Sequence, residues 1–267
     1  MQPKISFVMP TRDRDSLIGE AIQSIIEQSV QEWELIIVDD HSKPSDKTES
    51  IVAKFNDKRI RYYRLPDNFG QNIPSARNFG NALAHSPIIA VCDSDDLYSP
   101  DRAAITLDAF EHHNCDVFYG RYHRWDEATN VIFENKDKPI IPFDLETLKK
   151  YDFIPHGSSA YRTSIAYEFP YNSFMMRSQD YDLFSRLAMA KKKFYFSTAI
   201  IYTYRRHATN HTRMISRKPF DAFIRQSRGW EAYSVEAVEA IVSDPLRQSR
   251  RPAFSWTKIL DRIKSML

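Results

Sequence analysis

The chain has 267 residues, enough for one substantial core with an appendage, and 42% hydrophobic against 27% charged residues is the balance of a soluble globular protein. A formal charge of +2 excludes a whole-molecule electrostatic case for nucleic acid, and two cysteines exclude a disulfide framework and fit a reducing cytoplasm. None of the six glycines forms a Gly-x-Gly pair, which removes the dinucleotide fingerprint and the P-loop, and no apolar stretch approaches the ~20 residues of a transmembrane helix.

The first nine residues lack both the apolar length and the small-residue cleavage site of a signal peptide, and read as a strand over 5–9. Residues 16–28 place Leu17, Ile18, Ala21, Ile22, Ile25 and Ile26 on one helical face. A strand over 34–39 follows, then a helix carrying Ile51, Val52 and Phe55, and a strand over 60–65. The turn-prone 66–72 leads into a helix opened by Pro74, which a first turn accepts. A strand over 88–93 ends in acids, after which Ser99 is expected to cap, and Pro100 to start, another helix. Four strand-then-helix units in about a hundred residues predict a parallel α/β sheet. Beyond residue 114 the order becomes mixed: a strand near 116–122, a polar stretch with Pro139 and Pro142, a helix near 181–191, an aromatic strand over 194–204, a helical pattern over 219–242, and a short amphipathic helix from about Phe254.

The acids have a pattern of their own. Leu35-Ile36-Ile37-Val38 runs into Asp39-Asp40, and Ile88-Ile89-Ala90-Val91-Cys92 runs into Asp93-Ser94-Asp95-Asp96. In a parallel sheet ligands bind outside the carboxyl ends of the strands. Five carboxylates gathered there repel one another unless a cation sits among them, so a metal-assisted site for a phosphorylated ligand is the first hypothesis.

Pro10-Thr11-Arg12, Val38-Asp39-Asp40-His41-Ser42, the Asn68-Phe69-Gly70 … Ser75-Ala76-Arg77-Asn78-Phe79-Gly80 block and Asp93-Ser94-Asp95-Asp96 occur in the order and spacing of four linked motifs. Together they resemble family 2 glycosyltransferases of the inverting GT-A fold over residues 3–210. The resemblance implies a mostly parallel central sheet flanked by helices with a helical C-terminal extension. Residues 1–114 would form the nucleotide-sugar-binding part, 115–215 the acceptor-side part of the same domain, and 216–267 the extension. It further implies a donor site of Pro10, Thr11, Arg12, Asp39, Asp40, Asn68, Gly70, Arg77, Asp93 and Asp95. Within it Asp40 would accept the imide N–H of a uracil or thymine ring, with Asp39 as its partner, and Arg77 would reach the pyrophosphate. Asp95 and Asp96, joined by His207, are implied as ligands of Mn²⁺ or Mg²⁺. Asp180, in Arg177-Ser178-Gln179-Asp180-Tyr181-Asp182-Leu183, matches the family's base, while Gln179 replaces the usual acid before it.

The implied activity is transfer of a single sugar from a UDP- or dTDP-sugar to a hydroxyl of a carbohydrate or lipid-linked acceptor, in surface polysaccharide or glycoconjugate synthesis. A metal-dependent phosphohydrolase also uses strand-end aspartates, but has no role for the 68–80 block; a non-catalytic nucleotide-sugar-binding module would not need Asp180. Gln226-Ser227-Arg228-Gly229-Trp230 only approaches the Gln-x-x-Arg-Trp motif of processive synthases. In the tail, Phe254, Trp256, Ile259, Leu260 and Ile263 alternate with Lys258, Arg262 and Lys264 after Arg247, Arg250 and Arg251. Most such helices dock on their own domain, yet the aromatic and basic mixture also suits peripheral contact with an anionic membrane from the cytoplasmic side.

Overall fold

The computed structural model describes residues 2–67, 72–134, 140–175, 177–210 and 217–231. Strand β1 (Ile5–Thr11) and strand β2 (Trp33–Asp39) are buried at all seven positions, because helices cover both faces of a parallel sheet and leave no face for water. Successive residues point to opposite faces. Val8, Ile36 and Val38 therefore enter one apolar core, while Phe7, Met9, Leu35 and Ile37 enter a second one behind the sheet.

The second core is closed by helix α1 (Ile18–Ile26), helix α2 (Thr48–Ala53) and, after strand β3 (Ile60–Arg64), by helix α4 (Arg102–His112). The first is closed by helix α3 (Ile73–Ala82), which Asn72 caps by accepting the Ser75 N–H at 2.8 Å, with Pro74 in its first turn. Strand β4 (Ile88–Val91) follows, then the short β5 (Leu97–Tyr98), strand β6 (Val117–Asp126) and strand β7 (Val131–Glu134). Helix α5 (Leu145–Leu148), a 3-10 turn at His156–Ser158, strand β8 (Ala160–Arg162), helix α6 (Thr163–Glu168), helix α7 (Gln179–Met189), strand β9 (Phe194–Arg206) and helix α8 (Lys218–Ser227) follow among the described residues.

The strands form one sheet in the order β3-β2-β1-β4-β8-β6-β9-β5, with β7 on β6. It is parallel through β3, β2, β1 and β4 and again between β6 and β9, and antiparallel where β8 joins β4 to β6 and at the β5 and β7 pairings. The chain winds outward from β1 to β2 and β3 on one side and reaches β4 on the other. The crevice beyond the carboxyl ends of β1, β2 and β4 is thus a topological switch point.

One expected cap is corrected. Helix α4 starts at Arg102 with Asp101 before it, and the buried Ser99 hydroxyl has no partner among the described residues. Leu97 and Tyr98 pair with Thr203 and Tyr202 of β9, the Ser99 N–H donates to the Ile201 carbonyl at 3.1 Å, and a turn closed by the Arg102 N–H on the Ser99 carbonyl precedes the helix. The expected helical continuation over 232–242 and the helix from Phe254 lie outside the described residues.

Gly80 lets α3 approach the sheet closely. A Cβ there would lie 2.5 Å from Val8 Cγ1 and 3.2 Å from Val38 Cγ2, both on short, buried side chains with nowhere to move. Gly80→Ala is expected to destabilise the fold by about 1–3 kcal/mol, the usual cost of overpacking a filled core. A urea denaturation midpoint equal to wild type would show that the helix can lift at no cost.

Candidate active site

A cleft of about 1070 Å³ opens at the carboxyl ends of β1, β2 and β4. Pro10, Thr11 and Arg12 line it from β1, Asp40 from the end of β2, Arg77 from α3, Asp93 through Asp96 from the turn after β4, and Asp180 from α7. Five segments far apart in sequence therefore meet, three of them because the parallel strands β1, β2 and β4 end on the same side of the sheet.

Where β1 and β2 end, Asp40 is 4% exposed; its N–H donates to the Thr11 carbonyl at 2.8 Å and its Oδ2 lies 3.8 Å from Arg12 Nη1. Thr11 Oγ1 is buried with no partner among the described residues, a polar atom available to a ligand. Asp39 stands apart from the cleft lining. Its carboxylate is fully buried, accepting the Ser42 N–H at 2.7 Å and the Tyr62 hydroxyl at 2.6 Å, with Arg64 Nη1 at 3.5 Å. Adjacent residues at a strand end face opposite sides, so Asp39 and Asp40 cannot both face the cleft. Asn68 and Gly70 lie outside the described residues.

Arg77 is 4% exposed and donates from Nη2 to Asp93 Oδ1 at 2.6 Å, with its guanidinium 5.8 Å from the Tyr171 ring. Burial works against its charge, and the Asp93 carboxylate outweighs burial and holds the cation. Asp95 Oδ2 receives His207 Nε2 at 3.1 Å and lies 3.6 Å from Arg14 Nε. Burial alone would raise its carboxyl; the histidine bond and the Arg14 charge lower it instead. Asp96 accepts the Arg205 N–H at 2.9 Å and has no ion pair among the described residues. Burial, then the Asp95 and Asp93 charges, push its carboxyl well above the usual range. That is the signature of a cluster short of positive charge.

Of the residues expected to hold the metal, His207 Nε2 and Asp95 Oδ2 lie 3.1 Å apart. Among the described residues, no three His, Cys, Asp or Glu side chains converge on one point. His207 Nδ1 lies 2.9 Å from Thr209 Oγ1, and its Nε2 faces Asp95. A hard cation held by one or two carboxylates with substrate oxygens filling the remaining positions does fit, since the underserved Asp96 stands beside Asp95 in the cleft lining.

At the opposite end, Asp180 stands in the first turn of α7, preceded by Ser178 at φ 52°. A left-handed serine costs about 1–2 kcal/mol. It is held there by its hydroxyl, which donates to Asp221 Oδ1 at 2.5 Å and accepts from Arg217 Nε at 3.2 Å. Arg217 Nη2 donates to Asp180 Oδ1 at 3.2 Å and to Asp152 Oδ2 at 2.9 Å. Burial opposes ionisation of Asp180, but Arg217, His156 and the Tyr181 N–H outweigh it and hold the carboxyl below its ordinary value. It is therefore a carboxylate at neutral pH, as a base must be.

Sequence reasoning missed Asp152, Arg217 and Arg14. Arg217 lies beyond the stretch that the motifs cover. The one signal for Asp152 was an acid set within the otherwise apolar Tyr151-Asp152-Phe153-Ile154.

His156 Nε2 lies 2.8 Å from the Tyr171 hydroxyl, and burial, then repulsion by Arg77, lower its pKa from 6.5 to about 4. Between those values the unfolded chain binds the proton and the folded chain does not, so this contribution to stability is complete above pH 6.5 and is lost as pH falls to about 4. Thermal midpoints measured from pH 6.5 down to 4 are expected to fall more steeply for wild type than for His156→Gln. Parallel curves would remove His156 from the acid response.

Comparison with known proteins agrees with this geometry. The sequence model of Glycosyl transferase family 2 matches residues 6–184. An uncharacterized glycosyltransferase of Methanocaldococcus jannaschii is 28% identical over 212 residues, 76% of this chain and 71% of its own length. The Escherichia coli UDP-Glc:alpha-D-GlcNAc-diphosphoundecaprenol beta-1,3-glucosyltransferase WfgD is 30% identical over 118 residues, 44% of this chain and 45% of its own. Staphylococcus aureus TarS, residues 1–349 in complex with UDP, superposes with a TM-score of 0.65 at 17% identity, covering 92% of this chain and 71% of that one, a likeness of fold.

Proposed function

Because the chain belongs to glycosyl transferase family 2, we propose that it is an inverting enzyme that moves one sugar from a pyrimidine nucleoside diphosphate sugar to a hydroxyl acceptor in glycoconjugate or surface polysaccharide synthesis. The observation that carries this reading is the convergence of Asp40, Arg77, the Asp93–Asp96 turn and Asp180 on one cleft. A phosphohydrolase would leave Asp40 and the Arg77 block without a task. The UDP in the TarS complex and the UDP-Glc in the name of the glucosyltransferase support a uridine donor.

In this reading Asp40 accepts the imide N–H of the base, with the Thr11 hydroxyl facing the nucleoside. Arg77, kept ionised by Asp93, directs its charge to the diphosphate. Asp95 and Asp96 would hold a Mn²⁺ or Mg²⁺ that offsets the charge of the departing nucleoside diphosphate. Asp180 takes the proton of the acceptor hydroxyl while that oxygen bonds to the anomeric carbon on one face and the sugar–phosphate bond breaks on the other. The proton ends on Asp180 and the electron pair on the diphosphate.

The acceptor is proposed as a carbohydrate or a lipid-linked sugar. Among the described residues no helix is long and apolar enough to cross a membrane, and the basic, aromatic tail proposed for membrane contact lies outside them. Thermal stabilisation by a panel of nucleotide sugars with Mn²⁺ tests the donor class, since a ligand of the folded state raises apparent stability. Stabilisation by purine but not pyrimidine diphosphate sugars would overturn it.

A further inference from the structure

Three carboxylates crowd one guanidinium at the acceptor end of the cleft. Arg217 reaches Asp152 Oδ2 at 2.9 Å and Asp180 Oδ1 at 3.2 Å through the same nitrogen, and its Nε lies 3.8 Å from Asp221 Oδ1. Asp152 and Asp180 therefore compete for one cation. They come from unconnected elements, the loop after α5 and the first turn of α7, and both line the cleft.

We propose that Asp152 is a positioning residue that sets the strength of the base: ionised, it draws the Arg217 charge toward itself and leaves Asp180 the better proton acceptor. The proposal rests on the reading of Asp180 as the base. Without a charge on Asp152, Arg217 acts fully on Asp180 and weakens it. With that charge, the arginine is shared, and the proton of an incoming hydroxyl is easier for Asp180 to take.

The protonation equilibria place this exchange near neutrality. Burial, then repulsion by Asp180, push the Asp152 carboxyl up to about 7 against the pull of Arg217, whereas Asp180 stays below its ordinary value. The upper step belongs to Asp152, where burial and the Asp180 charge outweigh Arg217, whereas at Asp180 burial is outweighed by Arg217, His156 and the Tyr181 N–H. The groups facing Asp152 are Asp180 and Tyr181 from α7 and Arg217 and Asp221 at the start of α8. His156, on the other side of Asp180, is neutral across this range. As pH rises through about 7, Asp152 ionises and the rate is expected to rise with it.

The test uses the full chain and UDP-GlcNAc, with UDP release into water followed from pH 5.5 to 8.5, alongside ¹³C NMR of protein labelled at the aspartate carboxyl carbons. Wild type is expected to show one carboxyl titrating near 7 and a rate that rises about three- to tenfold through the same range. Asp152→Asn is expected to lose that carboxyl signal and to remain at the low-pH rate throughout, and Asp152→Glu to restore the rise. An Asp152→Asn rate lowered by one factor at every pH, or a rise that survives the substitution, would overturn the proposal and leave Asp152 a scaffold residue. Asp180→Asn separates the two readings. If it releases UDP at the wild-type rate, the base assignment falls and this proposal with it. If it is inactive while Asp152→Asn keeps the wild-type profile, only the role of Asp152 is overturned.

Discussion

Asp180→Asn is expected to lower sugar transfer by a factor of roughly 10² or more, the scale on which a general base contributes, while nucleoside diphosphate affinity stays at the wild-type value. The separation follows from position: Asp180 stands at the α7 end of the cleft, whereas the diphosphate is assigned to Arg77 and the turn after β4. The substitution also leaves the fold in balance, because Arg217 retains Asp152 at 2.9 Å and Asp221 at 3.8 Å, so no buried cation is stranded. Transfer assays and isothermal calorimetry on the same preparation check both halves. Transfer at the wild-type rate would require another group to take the proton, and a parallel loss of donor affinity would make Asp180 a binding residue.

The second large effect is expected at Asp96. Wild-type affinity for UDP should fall on the order of 10- to 100-fold when Mn²⁺ is replaced by EDTA, the range lost when even outer groups of a metal site are removed. In Asp96→Ala the two conditions should become equal at the weaker value. The diphosphate would otherwise face the Asp93 and Asp95 carboxylates, of which only Arg77 and Arg14 take up a share. Asp96→Asn guards against a trivial loss of structure, since its amide oxygen can still accept the Arg205 N–H that Asp96 holds at 2.9 Å. Equal UDP affinity of wild type in EDTA and in Mn²⁺ would remove the cation from the site. The acids would then be a polar turn that orders Arg77, Arg14 and Arg205.

The amino-acid sequence by itself determined the half of the sheet that carries the donor site. Apolar runs at 35–38 and 88–92, with 5–9 interrupted only by Ser6, each followed by an amphipathic segment, admit few arrangements other than parallel strands buried on both faces. The acids at their ends then necessarily share one edge of the sheet. The linked motifs located Asp40, Arg77, Asp93, Asp95, Asp96 and Asp180, and the structure gathers all six in one cleft. Local information was enough there, because each residue is placed by the strand or helix that contains it.

Tertiary structure alone decided what depends on contacts between distant segments. The Ser99 N–H donates to the Ile201 carbonyl of β9 and its hydroxyl caps nothing among the described residues, a contact with a distant strand that local propensity does not show. Asp39 and Asp40 look equivalent as letters, but the pleat sends one to Tyr62 and Arg64 and the other to the cleft. His207 is brought to Asp95 across more than a hundred residues, a contact that its neighbours in sequence do not reveal. The network of Asp152, Arg217 and Asp180 has no sequence signature, because three ionised groups interact only once burial has removed the water between them.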